Sequence, residues 1–342
     1  METVTFYGRD KEFNTICIFA PMEVQWNRRY YNVGDFSLQL PIDQYDTDVV
    51  YVYCDKRPEI GIVSKTQYKL DEAGKAYVQI SGYFYEIVMD NDIIYPAYDG
   101  GQNNRVDLEI NKLVLTYKSG NFVIDAATEA GTPCDFHAEI GKSLMDQCYY
   151  ILQLHQMSQR IRYAPDNNKF IYNVWKGLDR TANNSANNNP IVFSIEFGNL
   201  KNPDILMDES GYKNYAIVHC EFNDSDIYEV VDLHRSDEKV RKTYVDMTLD
   251  SEEELTEQQL RLKMIDAGKT ELNNSCSSIL NTSFDLLANT YDYMVDFDLG
   301  DLVTVNISTI GYNANVRIVA ISEVFNSNGH SVKIEVGNME VK

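Results

Sequence analysis

Short segments rich in β-branched and aromatic residues recur along most of this chain, with turn residues between them. Gly34 and Asp35 predict a turn between two such segments, and residues 71–74 (Asp-Glu-Ala-Gly) predict a hairpin loop between two others. Many strands this short and this closely spaced are typical of a sandwich or barrel. Within the first 95 residues, the predicted strands are 30–33, 36–40, 48–53, 59–70 and 75–82.

The composition changes after residue 95 and indicates a small α/β insertion. A helix is predicted over 143–159, because Ser143 is a good N-cap and Asp146 follows at the position of an approximate capping box. His155 lies one turn beyond the apolar face of this helix and is predicted to be a boundary residue. A strand is predicted over 169–175. The apolar face itself consists of Leu144, Cys148 and Ile151.

An Asn-rich stretch, 183–189, predicts an exposed loop before a second β-region. Strands are predicted over 191–197 and 215–222, followed by a hairpin of 227–233 with 240–247. The strongest helix prediction is 251–272. Ser251 and Glu254 have capping-box spacing there. Its predicted apolar face is Leu255, Leu262, Ile265 and Leu272, a stripe too short to favour a coiled coil over docking on its own domain.

The chain ends with further alternating segments, and its overall class is therefore mainly β with an α/β insertion, an α+β fold. The last predicted strands are 302–307, 315–322 and 331–336, with a turn at 326–329. Four domains are predicted: a β-domain over 1–95, an inserted α/β domain over 96–182, a second β-domain with the 251–272 helix over 183–285, and a small β-domain over 286–342.

The net charge of −22 argues against a nucleic-acid-binding protein. Such a protein needs a basic patch to neutralise the phosphates. The favoured interpretation of the acidic composition is that it keeps the protein soluble. The alternative is a surface that repels phosphate. Six dispersed cysteines without a CxxC pair indicate reduced thiols. The sequence predicts neither a signal peptide nor a membrane span.

No catalytic constellation stands out. The five histidines are widely spaced, and nucleophile-elbow and phosphate-cradle motifs are missing from the sequence. We therefore predict no catalytic residue, no cofactor and no resident metal. The best cluster of acids could hold Ca²⁺, although a solvated loop is the favoured interpretation. That cluster is Asp292, Asp296, Asp298 and Asp301.

The order of several local patterns resembles the tail-hub proteins of siphophages, also called baseplate hub proteins or the N-terminal part of tail-associated lysins. The chain is more remotely similar to hubs of contractile phages and of phage-tail-like bacteriocins. The resemblance covers about residues 50–337. It rests on residues 59–63, 78–82, 177–181, 192–194, 198–200, 212–216 and 297–303. One departure follows residue 82, where the chain reads Tyr-Phe-Tyr-Glu-Ile-Val instead of the family's Arg- and Asp-containing turn.

The resemblance implies a homotrimer with two tube-like β-domains in each subunit. Its implied partners are a distal tail or tail-tube protein ring, a tail-tip or central-fibre protein and a tape measure protein, with DNA passing through the lumen. The implied location is the distal tip of a virion tail, after synthesis in the host cytoplasm. The matched motif positions are predicted to be structural rather than catalytic: Gly177, Asp179, Arg180, Asn214, Gly300 and Asp301.

Two other functions stay open from the sequence. A tail-associated cell-wall hydrolase is disfavoured because the hub-like region extends almost to Lys342. A carbohydrate- or receptor-binding module is compatible with 24 tyrosines, but two tryptophans give little support for sugar stacking. The sequence leaves open whether the particle is a phage or a bacteriocin, and whether its tail contracts.

Overall fold

A computed structural model of the chain describes residues 4–70, 74–138, 140–223, 225–249, 256–272, 279–287 and 290–337. Strands account for 48% of the residues and helices for 17%, which confirms the predicted α+β, mainly β class. The chain forms two compact units. The large unit comprises Met1–Asp204 and Thr282–Lys342, and the small unit comprises Ile205–Asn281. The division into four domains stays a prediction.

The large unit begins with strands whose side chains alternate between buried and exposed. They are β1 (Phe6–Arg9), β2 (Thr15–Phe19), β3 (Glu23–Arg29), β4 (Asp35–Pro41), β5 (Tyr51–Cys54), β6 (Ile60–Leu70) and β7 (Ala76–Phe84). The strand predicted at 30–33 is wrong: residues 30–32 form a bend after β3, and β3 itself was missed. Trp26 and Leu38 are fully buried on β3 and β4, as a period of two requires.

The C-terminal strands continue this N-terminal sheet. They are β18 (Ile279–Leu286), β19 (Leu302–Ile307), β20 (Tyr312–Asn326) and β21 (Gly329–Gly337). β20 pairs antiparallel with β3, and Ala320 lies opposite Arg29. With β13 (Val192–Ser194) and β14 (Leu200–Asp208), the described strands make a thirteen-stranded sheet. Its main path is β14-β18-β21-β20-β3-β4-β7-β6-β5-β1-β2.

This sheet curls over its own core. Phe6 on β1 lies 5.9 Å, between ring centroids, from Trp26 on β3 and 5.6 Å from Phe325 on β20. β1 stands several strands away from both along the hydrogen-bonded path, so these contacts require curvature. The predicted strand at 191–197 is shorter in the structure, where β13 ends at Ser194 and pairs parallel with β19.

A mixed α/β part lies between β7 and β13. It contains a 3₁₀ helix (Tyr85–Asn91), β8 (Tyr98–Arg105), α1 (Val106–Tyr117), β9 (Val123–Ile124), β10 (Pro133–Ala138), α2 (Leu144–Leu154), β11 (Ser158–Ala164) and β12 (Lys169–Trp175). The cap of α2 is confirmed, since Ser143 Oγ accepts from the Asp146 N–H. Leu144, Cys148 and Ile151 are buried as predicted. The helix ends at Leu154 rather than 159, because the next strand begins at Ser158.

The small unit packs one helix on a three-stranded sheet. Its strands are β15 (Tyr215–Phe222), β16 (Ser225–Asp232) and β17 (Lys242–Met247), followed by α3 (Glu257–Thr270). The predicted hairpin between 227–233 and 240–247 is wrong. Both segments flank β15 instead, β16 antiparallel and β17 parallel to it. The long connection before β17 allows the chain to cross to the far edge of β15.

Helix α3 differs from its prediction in both cap and face. Thr256 is the N-cap and forms a capping box with Gln259, whereas the predicted box at Ser251 and Glu254 lies outside the described residues. Leu262, predicted to be buried, is 62% exposed. The buried stripe is Leu260, Met264 and Gly268, spaced by four residues. Among the described helices, none has the length and apolar character of a membrane span.

Candidate functional site

Five of the six predicted motif positions meet in the large unit, where residues 177–181 run beside residues 300–302. We call this cluster the motif junction: Gly177, Asp179, Arg180, Gly300 and Asp301. Arg180 Nε donates to Asp301 Oδ2 over 2.9 Å, and the Leu178 N–H donates to Asp301 Oδ1 over 2.7 Å. The Asp298 N–H donates to Asp301 Oδ2 over 3.0 Å. Segments far apart in sequence are thus joined through one carboxylate.

Asp301 is well enclosed, with 6% of its side chain exposed. Burial raises the pKa of Asp301, while the backbone donors of Asp298 and Leu178 and the Arg180 guanidinium oppose that rise. Both carboxylate oxygens accept hydrogen bonds from fixed donors. This arrangement suits an anchor between two segments and leaves Asp301 poorly placed to bind a ligand or transfer a proton.

The two junction glycines allow the backbones to approach. A Cβ added at Gly177 would lie 2.0 Å from the carbonyl carbon of Gly300. Gly300 has φ +83°, and a Cβ there would lie 2.4 Å from the ring of Tyr30. A side chain at either position would force the backbone or a buried ring to move. From the sequence alone, these two residues could be identified only as turn glycines.

Asp179 organises the Asn-rich loop that follows it. Its Oδ1 accepts from the Thr181 N–H over 3.0 Å, and its carbonyl accepts from Asn188 Nδ2 over 2.8 Å. Asn184 Oδ1 in turn accepts from the Asn188 N–H over 2.9 Å. These bonds to backbone groups are those that short amide and carboxylate side chains favour in turns.

Asn214, the sixth motif position, belongs to the small unit and does not join the junction. It is 1% exposed. Its Oδ1 accepts from the Arg241 N–H over 2.7 Å, and its Nδ2 donates to the Lys239 carbonyl over 3.0 Å. Asn214 therefore holds the loop that enters β17 against the start of β15.

The acidic cluster predicted as an alternative Ca²⁺ site is engaged by protein groups. Asp298 pairs with Arg28 over 2.6 Å, and Asp301 pairs with Arg180. Asp296 Oδ2 accepts from the Asp292 N–H over 2.7 Å. No three His, Cys, Asp or Glu side chains in the described ranges are grouped to hold a metal ion.

A buried charge that sequence analysis missed lies at Arg28. Arg28 Nε contacts Glu59 over 2.7 Å, and Nη1 contacts the Tyr293 hydroxyl over 2.7 Å in addition to Asp298. Burial acts to lower the pKa of Arg28, but Asp298 and Glu59 outweigh it and raise the pKa well above its ordinary value. The alternation of Val24, Trp26 and Arg28 is the signal that places this side chain inside.

A second buried ion pair ties the C-terminal strands to the N-terminal region. Arg57 Nε donates to Glu323 Oε2 over 2.7 Å, and a second bond joins Arg57 Nη2 to Oε1. His330 Nε2 lies 3.0 Å from the same Oε1. Burial acts to raise the pKa of Glu323, yet its bonds with Arg57 and His330 lower it overall. Glu323 is fully buried, so the pair depends on its geometry.

The small unit presents a partly aromatic surface on the side of its sheet opposite α3. We call this the outer face: His219, Tyr228, Val230 and Tyr244. Tyr228, Val230 and Tyr244 are 52%, 49% and 56% exposed. The His219 ring lies 4.9 Å from that of Tyr228 and 6.2 Å from that of Tyr244, between centroids. The aromatic rings therefore form a row across the sheet.

Two carboxylates hold His219 in the middle of this row. Nε2 lies 2.9 Å from Asp226 Oδ1, and Nδ1 lies 2.6 Å from Asp246 Oδ1. The bonds with Asp226 and Asp246 raise the pKa of His219. An imidazole protonated on both nitrogens donates to both carboxylates, so the arrangement favours the charged form.

Comparison with known proteins identifies the fold. The tail protein from Neisseria meningitidis MC58 matches with a TM-score of 0.65 at 12% identity, covering 98% of this chain and 97% of that one. The 43 kDa tail protein of prophage MuSo2 from Shewanella oneidensis also reaches 0.65, at 13% identity and 98% of both chains. The lidded Francisella PdpA-VgrG complex gives 0.51 at 13% identity, covering 98% of this chain and 52% of that one. No curated protein matches the sequence.

The architecture is thus that of phage tail proteins. The sequence pattern of the Siphovirus ReqiPepy6 Gp37-like proteins matches residues 118–338, well over half of the chain, and the chain belongs to that family. The resemblance to the siphophage tail-hub family drawn from the sequence is confirmed.

Proposed function

We propose that this chain is the hub of a phage tail, a homotrimeric adaptor at the distal end of the tail tube. The observation that carries the proposal is the likeness in fold to tail proteins over 98% of this chain, matched by 97% or 98% of theirs. Because the structural alignment covers nearly all of each chain, the proteins share the whole fold. The proposed partners are a distal tail or tail-tube ring above, a tip or central-fibre protein below, and the tape measure protein.

The outer face supports assembly with neighbours. Aromatic side chains with wet hydroxyls are enriched at protein interfaces, and Tyr228 and Tyr244 stand exposed on the two strands that flank β15. Exposed apolar side chains that lie next to one another are a common feature of interaction sites. We place contact with an adjacent tail subunit on this face.

A DNA passage through the trimer agrees with the charge. Each chain carries −22, so three would carry −66. At physiological salt the Debye length is about 8 Å, and phosphates close to an acidic wall would still be repelled. Such a wall would let DNA slide through without binding.

We further propose that the chain is not an enzyme. The charged residues of the motif junction and of the buried ion pairs join segments of the fold. His219, which lies between Asp226 and Asp246, has no nucleophilic side chain beside it among the residues that define the outer face. A cell-wall hydrolase and a carbohydrate-binding module are the competing functions. The first would clear a cell-wall suspension, and the second would be retained on it.

Localisation on tail particles tests the proposal. An epitope tag is added at residue 342, and particles are imaged by electron microscopy with a gold-labelled antibody. A tagged tail-tube protein serves as the control for label along the tube. The proposal predicts one cluster of label at the distal tip. Label along the tube, or particles without label, would contradict it, and cell-wall clearing by the purified chain would favour the hydrolase.

A further inference from the structure

A small cavity in the large unit is partly open to solvent, and its polar lining is incompletely bonded. Its volume is about 20 Å³, enough for one water molecule. Three buried polar atoms in lining residues have no hydrogen-bond partner within the described part of the chain. They are Glu59 Oε2, Glu86 Oε2 and Trp175 Nε1.

The cavity lies where the N-terminal sheet meets the mixed α/β part. Glu59 precedes β6, Glu86 is in the 3₁₀ helix after β7, and Trp175 ends β12. Each carboxylate has one oxygen satisfied: Arg28 Nε donates to Glu59 Oε1 over 2.7 Å, and the Ile161 N–H donates to Glu86 Oε1 over 2.7 Å. The second oxygen of each remains to be accounted for.

The chemistry of these atoms requires further hydrogens. An ionised carboxylate only accepts hydrogen bonds, so two such oxygens cannot satisfy each other. Leaving a buried acceptor unbonded is costly, and leaving a buried charge unpaired costs more. A proton on one carboxyl and a water between the groups would give each of the three unbonded atoms a partner.

We propose that this cavity binds one proton and one water molecule, with the proton on Glu86. The water accepts from the Trp175 N–H and from the Glu86 O–H, and it donates to Glu59 Oε2. All three unbonded atoms then have partners. The site links protonation of Glu86 to the stability of the packing between the sheet and the α/β part. This role is separate from assembly of the tail.

The surrounding charges favour Glu86 as the proton carrier. Arg28 bonds directly to Glu59, whereas the hydrogen bonds to the Glu86 carboxyl come from backbone N–H groups, those of Ile161 and of Glu86 itself. Arg29 and Arg160 also line the cavity, as does the hydroxyl-bearing Tyr149. Burial raises the pKa of Glu86 to about 7, with a further rise from Glu59 and a reduction from Arg28. The Arg160 guanidinium stacks on Trp175 at 4.4 Å, and its Nε donates to Asn173 Oδ1.

The sign of the pH dependence follows from linkage. A folded pKa of about 7 lies above the ordinary value of 4.5 for a glutamate, so the native state holds the proton more tightly. The stabilisation is complete below about pH 4.5 and is lost as the pH rises through about 7. Within that interval, the unfolding constant of the wild type rises about tenfold per pH unit from this group alone.

Urea unfolding of the full chain across this pH range tests the proposal with Glu86→Gln. Glutamine resembles the protonated acid and cannot titrate. The ratio of the wild-type unfolding constant to that of the variant should rise about tenfold per pH unit up to about pH 7 and then level off. Glu196→Gln is the control: hydrogen bonds from Ser194 and Ser308 lower the pKa of Glu196 to about 2, so its ratio should stay constant above about pH 4.5. A constant ratio for Glu86→Gln would overturn the proposal.

Infrared spectroscopy of the wild type provides a measurement that needs no stable variant. At pH 6 a buried protonated carboxylic acid gives its own C=O stretching band, which should disappear as the pH is raised above the pKa of Glu86. Trp175→Phe, which removes the indole N–H, should shift the band because the water loses a donor. A wild-type spectrum without a titrating acid band would refute proton binding at this site.

Discussion

Arg180 donates a 2.9 Å hydrogen bond to Asp301, a residue 121 positions later in the chain. The segment between them includes the whole small unit, Ile205–Asn281. The pair therefore joins the two sequence segments of the large unit that precede and follow the small unit. Loop closure over such a length is entropically costly, and a carboxylate that binds three donors helps to offset that cost.

Asp301→Ala should lower the free energy of unfolding by about 3 kcal/mol, because it leaves Arg180 and two backbone N–H groups without their acceptor. Asp179→Ala is the matched control in the same junction. It loses one turn hydrogen bond, from Thr181, and should cost about 1 kcal/mol or less. Urea denaturation followed by fluorescence measures both. Equal losses would show that Asp301 is not the principal anchor.

Gly300→Ala should destabilise the chain more than Gly198→Ala. Both glycines have positive φ, so each substitution carries backbone strain of about 1–2 kcal/mol. The Cβ at 300 would also collide with Tyr30, whereas the Cβ at 198 would meet open space. The difference in thermal midpoint between the two variants isolates the collision. If Gly198→Ala were as damaging as Gly300→Ala, the close approach to Tyr30 would not matter.

Arg57→Met should cost about 3–5 kcal/mol, because it leaves Glu323 buried without its guanidinium. The double variant Arg57→Met with Glu323→Leu removes both charges and should recover much of that loss. Chemical denaturation of the two single variants and the double variant gives their coupling. Strict additivity of the two single changes would contradict a direct interaction.

His219 should titrate above its ordinary pKa of 6.5, because Asp226 and Asp246 stabilise the imidazolium. The stabilisation is present at low pH and is lost as the pH rises through the raised pKa. Nuclear magnetic resonance of the imidazole protons measures the midpoint. Asp226→Asn and Asp246→Asn should each lower it. His155 is the internal control, since burial lowers its pKa.

Local patterning accounts for the parts of the fold that were predicted well. β12 and β15 have the predicted bounds, because alternation continues without interruption from one turn to the next. The cap of α2 was predictable because Ser143 and Asp146 are neighbours in sequence. Strand alternation and helix caps depend only on residues that are close together in the sequence.

The errors arise where distant contacts decide the outcome. The parallel pairing of β17 with β15 requires a crossover that resembles a hairpin in sequence. The apolar residues of α3 fit more than one face, and packing against Val218 and Val231 selects the one with Gly268. In the candidate site, the sequence nominated Arg180 and Asp301 by resemblance, but their pairing and the burial of Arg28 depend on strands that meet only in the folded chain.

The native mass of the purified chain, measured by light scattering, tests the hub proposal most directly. The measurement is made alone and with the tail-tube or tip partner. The proposal predicts a species near three times 39.3 kDa for the chain alone, or, with the partner, a complex of three chains whose mass exceeds that value by the mass of the bound partner. A chain that stays at 39.3 kDa under both conditions would contradict a trimeric hub.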